Sequence, residues 1–172
     1  MLVAKYLASI NDTSRRIFLY DTYEGMSEPT SHDRIIATDE SAHPAWDSRR
    51  TTEDTEASDW CFASLDDVKA NMSLTGYPND KLIYVKGKVE DSIPESLPQE
   101  IAILRLDTDW YESTKHTMQH LFPLLAPSGV LILDDYGCWA GARRAVDEYL
   151  TETRTSLLLN RIDYSCRVAV KA

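Results

Sequence analysis

No apolar run in this chain approaches the roughly 20 residues needed to cross a bilayer, and no charged segment, apolar stretch and small-residue cleavage site open it. A membrane partner and a leader peptide are therefore not expected. Cysteine is scarce: Cys61, Cys138 and Cys166 are odd in number and have no paired spacing. That argues against a disulfide framework and for a reducing compartment, read here as the cytoplasm. Bases are in deficit, 18 against 28 acids for a net charge of −10, which speaks against a nucleic-acid or anionic-membrane partner. No glycine loop able to cradle a phosphate is present, nor a serine or cysteine nucleophile motif, an internal repeat or a low-complexity tract.

What remains is 172 residues, 43% of them hydrophobic, with a mean hydropathy of −0.36. This suits one soluble domain over 1–172, large enough for a real core. Residues 1–10 read as the remainder of a helix without a start signal, with Leu2, Val3, Tyr6, Leu7 and Ile10 at helical intervals. Residues 17–20 form a short strand ending at Asp21. The stretch 27–60 lacks sustained periodicity, and 30–60 holds eight acids, Asp33 among them, against three bases. It reads as a mobile acidic loop or a functional lid. Ser64 has the character of an N-cap, with Asp66 and Asp67 in the first turn of a helix carrying Leu65, Val68 and Met72. Strands follow at 82–86 and from Ile101, with Pro94 and Pro98 punctuating the approach. A helix runs from about Ser113, and Pro127, Ser128 and Gly129 turn the chain into the next strand. Ala142, Ala145, Val146, Tyr149 and Leu150 mark another helix face, and 157–160 with 167–170 close the chain as a hairpin. Alternating strands and helices predict a doubly wound, mostly parallel α/β sheet with a C-terminal antiparallel hairpin.

Two acidic clusters carry the chemistry. The run 101–114, IAILRLDTDWYEST, delivers Asp107 and Asp109, and the run 129–141, GVLILDDYGCWAG, delivers Asp134 and Asp135. A strand, a helix and a second strand make a right-handed unit with parallel strands, so both clusters emerge at one sheet edge, where open α/β sheets bind ligands. Carboxylates converging there repel one another unless a cation sits among them, and oxygen ligands favour Mg²⁺, Ca²⁺ or Mn²⁺. Asp21 stands where a ribose-binding acid commonly lies, though a cap or turn role is open to it. His116 and His120 have a metal-like spacing but no third ligand nearby, which favours a solvated helix face. Cys138 reads as a packing residue, and Trp110, Tyr111, Tyr136 and Trp139 serve either a pocket wall or the core.

The blocks LRLDTDWYEST and LILDDYGCWAGARRAVDEY resemble the macrocin O-methyltransferase family, metal-dependent enzymes that use S-adenosylmethionine; IFLYDTYEGM, SLDDVKANM and YVKGKVEDSIPESLP agree in order and spacing. The resemblance implies a class I methyltransferase fold and a hydroxyl acceptor, a sugar on a glycosylated natural product; a homo-oligomer is open to the chain on any reading. Residue by residue, it implies Asp107, Asp134 and Asp135 as Mg²⁺ ligands and Asp109 as the general base. It implies a cofactor site of Asp21, Tyr23, Gly87, Asp91 and Asp107, with Asp21 at the ribose and 87–91 along the adenine. The family's first strand and its glycine loop are missing from these 172 residues. Two rival readings stand beside this one. Asp107–Thr108–Asp109 also resembles the D-x-D of metal-dependent glycosyltransferases, and a chain without the cofactor loop suits a truncated, non-catalytic remnant.

Overall fold

The computed structural model describes residues 1–50, 58–93 and 95–172. Residues 51–57 of the acidic loop, and Pro94, lie outside the described residues. In chain order the elements are α1 (Leu2–Ser9), β1 (Ile17–Asp21), α2 (His43–Asp47), α3 (Leu65–Ser73), β2 (Leu82–Lys86) and the single turn α4 (Val89–Ser92). There follow β3 (Ile101–Leu106), α5 (Tyr111–Leu121), β4 (Leu125–Leu133), α6 (Ala140–Glu152), β5 (Asn160–Arg161) and β6 (Arg167–Val170).

Local chemistry sets most boundaries. The Ser64 hydroxyl accepts the Asp67 N–H at 3.1 Å, satisfying one of the orphan donors at the start of α3. Helix α1 has no side-chain cap, as its sequence suggests. Helix α5 begins at Tyr111, two residues earlier than the sequence indicates. Strand β4 already starts at Leu125 and runs through the expected 127–129 turn. Ser128 absorbs the irregularity at φ +63°, while its N–H donates to Lys171 O at 2.7 Å. The first strand of the terminal hairpin is short because Leu157 and Leu159 leave the ladder and pack against the core.

The described strands form two ladders. Strand β1 pairs in parallel with β2, from Ile17 opposite Leu82 to Asp21 opposite Lys86. The larger sheet has the order β3-β4-β6-β5, parallel between β3 and β4 and antiparallel beyond. Strands β1 and β3 are not ladder partners, so each presents one unpaired edge among the described residues. In the strand order implied by the resemblance, a further strand belongs between them. What ties the halves together includes the Tyr20 hydroxyl, which donates to Ser96 O at 2.6 Å, and the Tyr20 ring against the main core.

Each ladder has its own core. Ala4, Met72, Tyr77 and Leu82 gather Leu7, Ile17, Leu19 and Val68 around β1 and β2. On the larger sheet Leu104, Leu106, Leu131, Leu133 and Ala169 alternate inward to meet Met118, Leu121 and Val146. Each such side chain contributes roughly 1.5–3 kcal/mol by leaving water. The opposite sheet face, with Ile103, Arg105, Val130 and Ile132, is only partly covered; Ile103 is 51% exposed.

Candidate active site

Strand pairing brings the carboxylates together. Leu106 lies opposite Leu133 in the parallel ladder, and the Asp134 N–H donates to Leu106 O at 3.0 Å. Asp107 and Asp134 thus leave the sheet side by side. One oxygen from each of Asp107, Asp134 and Asp135 falls within 4.8 Å of the others. Arg105 shares the Asp107 face because strand side chains alternate with period two. Its Nη1 donates to Asp107 Oδ2 at 2.7 Å and its Nη2 to Asp134 Oδ2 at 2.6 Å. One guanidinium therefore forks across two carboxylates from two strand ends, a geometry that suits arginine.

The electrostatics are those of a crowded anionic site. Burial, and then the charges of Asp109, Asp107 and Asp134, push the Asp135 carboxyl up to about 8. Asp134 is raised chiefly by burial and by Asp107, with Arg105 opposing. Asp135 Oδ2 is buried and has no hydrogen-bond partner among the described residues. A buried acceptor left unsatisfied costs on the order of 1–3 kcal/mol. A hard divalent cation among these oxygens would satisfy it, and the donor set fits Mg²⁺, Ca²⁺ or Mn²⁺.

Asp109 sits in the left-handed region at φ +54°, costing about 1 kcal/mol for a residue of this kind. Its carboxyl is raised mainly by burial and by Asp107, while contact with Asp135 and Trp139 draws it partly back. Next to it Trp110 and Trp139 are buried edge to face, centroids 5.0 Å apart, with Trp60 closing the cluster at 5.8 and 6.2 Å. The ring flanks thus belong to the core, as does Tyr111; Tyr136 remains half-buried. Cys138 packs against the same cluster.

The expected cofactor residues fall into two groups. Asp21, at the exposed end of β1, accepts the Tyr23 N–H at 2.5 Å, and the Gly87 N–H donates to its carbonyl at 3.0 Å. Gly87 adopts φ +136°, a conformation open to glycine. The Tyr23 ring is buried and its hydroxyl donates to Leu19 O at 2.9 Å, so its backbone is what serves Asp21. Asp91 lies one turn further on, in α4. Asp107 belongs to the other sheet, across the unpaired edges.

His116 and His120 are not fully solvated. Their rings stack with centroids 4.0 Å apart, and His116 Nε2 is buried without a partner among the described residues. They are absent from the carboxylate group that could hold a metal.

Sequence reasoning missed Arg105 and the order in the 27–60 segment. Arg105 was findable, being two residues before Asp107 on a strand. The segment's described part holds α2, the buried Trp46 and Asp33, which is 0% exposed. No periodicity announces these, because long-range contacts impose them.

The model of the macrocin O-methyltransferase (TylF) family matches residues 1–171. The 8-demethyl-8-(2,3-dimethoxy-alpha-L-rhamnosyl)-tetracenomycin-C 4'-O-methyltransferase of Streptomyces olivaceus is 30% identical over 157 residues, 91% of this chain and 55% of its own length. The mycinamicin III 3''-O-methyltransferase of Micromonospora griseorubida is 31% identical over 135 residues, 78% of this chain and 49% of its own. The chain thus spans about half the length of these curated relatives. Among solved structures, the O-methyltransferase NovP superposes with a TM-score of 0.79 at 22% identity, over 99% of this chain and 66% of that one. The calicheamicin methyltransferase CalS11 gives 0.65 at 20% identity, over 96% and 65%. These likenesses establish the class I methyltransferase fold, and the family match covers nearly every residue; the chain belongs to the macrocin O-methyltransferase family.

Proposed function

We propose that the protein containing this chain transfers a methyl group from S-adenosylmethionine to a hydroxyl of a small molecule, a sugar on a glycosylated natural product, with Mg²⁺ at Asp107, Asp134 and Asp135. The observation that carries the metal is the convergence of one oxygen each from Asp107, Asp134 and Asp135 within 4.8 Å, beside which Asp135 has a buried Oδ2 without a partner among the described residues. Family membership supports methyl transfer over glycosyl transfer, and the names of both relatives refer to O-methylation of elaborated natural products.

The residues divide the work. When bound, a divalent cation makes a nearby hydroxyl a stronger acid, and the cofactor supplies an electrophilic methyl. Asp109 takes the proton: burial lifts its basicity toward the working pH, and its position two residues beyond Asp107 places it at the cation site without making it a ligand. Arg105 holds one oxygen each of Asp107 and Asp134, orienting the carboxylates as outer-shell partners orient ligands. Asp21, fixed by the Tyr23 N–H, offers an exposed carboxylate to ribose hydroxyls.

Calorimetric titration with Mg²⁺ tests the metal reading. The parent is expected to bind one ion, and Asp134→Ala to bind it at least about tenfold more weakly. Equal affinity in both proteins would remove the cation from this site.

A further inference from the structure

Helices α5 and α6 each begin just after one of the carboxylate clusters, and neither has a side-chain cap from its own N-cap residue, Trp110 or Trp139. Their first N–H groups are satisfied from one distant place. Asp33 Oδ1 accepts the Tyr111 N–H at 2.7 Å, and the carbonyl of the adjacent Arg34 accepts the Ala140 N–H at 2.8 Å. The two helix starts are therefore bound by consecutive residues of a segment 78 positions from Tyr111.

Asp33 is itself held rigidly. Its Oδ2 accepts the Thr30 N–H at 2.7 Å and the Thr30 hydroxyl at 2.9 Å, and its carbonyl accepts the Ala42 N–H at 2.9 Å. It has no solvent exposure. The approach is possible because Gly141 has no side chain: a Cβ there would lie 2.0 Å from Asp33 Oδ1 and 3.0 Å from Tyr111 N. A carboxylate at a helix N-terminus is favoured by the helix dipole and forms strong, charge-assisted bonds. The same segment is sewn on by the Ile36 N–H to Cys138 O at 2.9 Å and the Trp110 indole N–H to Ser27 O at 2.9 Å.

We infer that Asp33 and Arg34 form a positioning clamp, which holds the start of α5 against the start of α6 and so fixes Asp109 relative to Asp135. Neither residue reaches the reacting groups. Asp109 is two residues from Tyr111 and occupies the left-handed region, a conformation that persists where its surroundings over-determine it. The clamp is what over-determines it. The catalytic consequence rests on the function proposed above; the clamp itself does not.

The test uses Asp33→Ala, the milder Thr30→Val and Gly141→Ala, with Met72→Ala in the other core as a control for lost stability. Two quantities are read at a temperature where all are folded: Mn²⁺ affinity by electron paramagnetic resonance, and amide exchange at the starts of α5 and α6. Asp33→Ala is expected to bind Mn²⁺ about tenfold more weakly and to exchange faster at both helix starts. Thr30→Val and Gly141→Ala move both quantities in the same direction, which decides the matter should Asp33→Ala not fold. Met72→Ala changes neither. A clamp variant matching the parent in exchange at both helix starts overturns the inference, as does unchanged Mn²⁺ affinity. A parent that binds no Mn²⁺ refutes the metal proposal alone, leaving exchange to judge the clamp.

Discussion

Replacing Asp135 with Asn should stabilise the cation-free protein, and more so as the pH rises. In the folded state Asp135 ionises at about 8 rather than at its ordinary 3.8. Each tenfold change of an ionisation constant is worth about 1.4 kcal/mol, so the full displacement bounds the effect at about 6 kcal/mol. Asp107, Asp109 and Asp134 share the repulsion, so removing one charge releases only part of it, about 2 kcal/mol. The sign follows from the direction: a carboxyl raised on folding contributes stability below its unfolded value, and that contribution is lost as pH climbs through the folded one. Between pH 4 and 8 the parent should therefore lose stability relative to the Asn variant, which cannot ionise. For a chain of this size, 2 kcal/mol corresponds to a Tm difference of about 4–8 °C. Thermal melts at pH 5.5 and pH 8 in chelator measure it, and excess Mg²⁺ at pH 8 should close the gap by raising the parent alone. An Asn variant no more stable than the parent at pH 8 would refute the reasoning.

Asp109→Asn, made in an active full-length protein, should leave Mg²⁺ affinity near that of the parent and lower kcat by about 10²–10⁴-fold, the worth of a positioned base. Turnover within a few-fold of the parent would place the base elsewhere. The unpaired edges of β1 and β3 lead us to expect that residues 1–172 alone bind S-adenosylmethionine far more weakly than a chain extended upstream by a strand and a glycine loop. Equilibrium dialysis of both proteins checks this, and equal tight binding would show those unpaired edges to be irrelevant to the cofactor.

Periodic and local features were legible in the sequence. The Ser64 cap is visible because its partner is three residues away, and residues 82–86 are visible as an apolar run bounded by turn signals. Asp107, Asp134 and Asp135 could be placed together because parallel pairing aligns strand ends. The start of α5 was misplaced because its cap comes from Asp33, beyond any local window. The contacts of the described part of the 27–60 segment are hidden for the same reason: Trp46 reaches Met26 O, and Ser27 O receives the Trp110 indole, contacts that leave no period in the chain. The histidine spacing suggests a solvated face because spacing alone does not reveal stacking.

That the two ladders share no strand among the described residues also bears on how this chain comes apart. Cooperative, all-or-none melting requires that one part cannot be lost without the rest, and a continuous sheet enforces that by threading every core through shared neighbours. Here the cluster around Met72 and Tyr77 and the cluster around Leu131 and Met118 are separate apolar cores. Their coupling includes the Tyr20 hydroxyl bond to Ser96, the packing of its ring, and Val89 and Ile93 at α4, which enter the larger core. The β1–β2 unit, built on fewer fully buried side chains, is the weaker foldon and the one to open first. It carries Asp21, so the acid proposed for the ribose would be lost while the carboxylate cluster on β3 and β4 still stood.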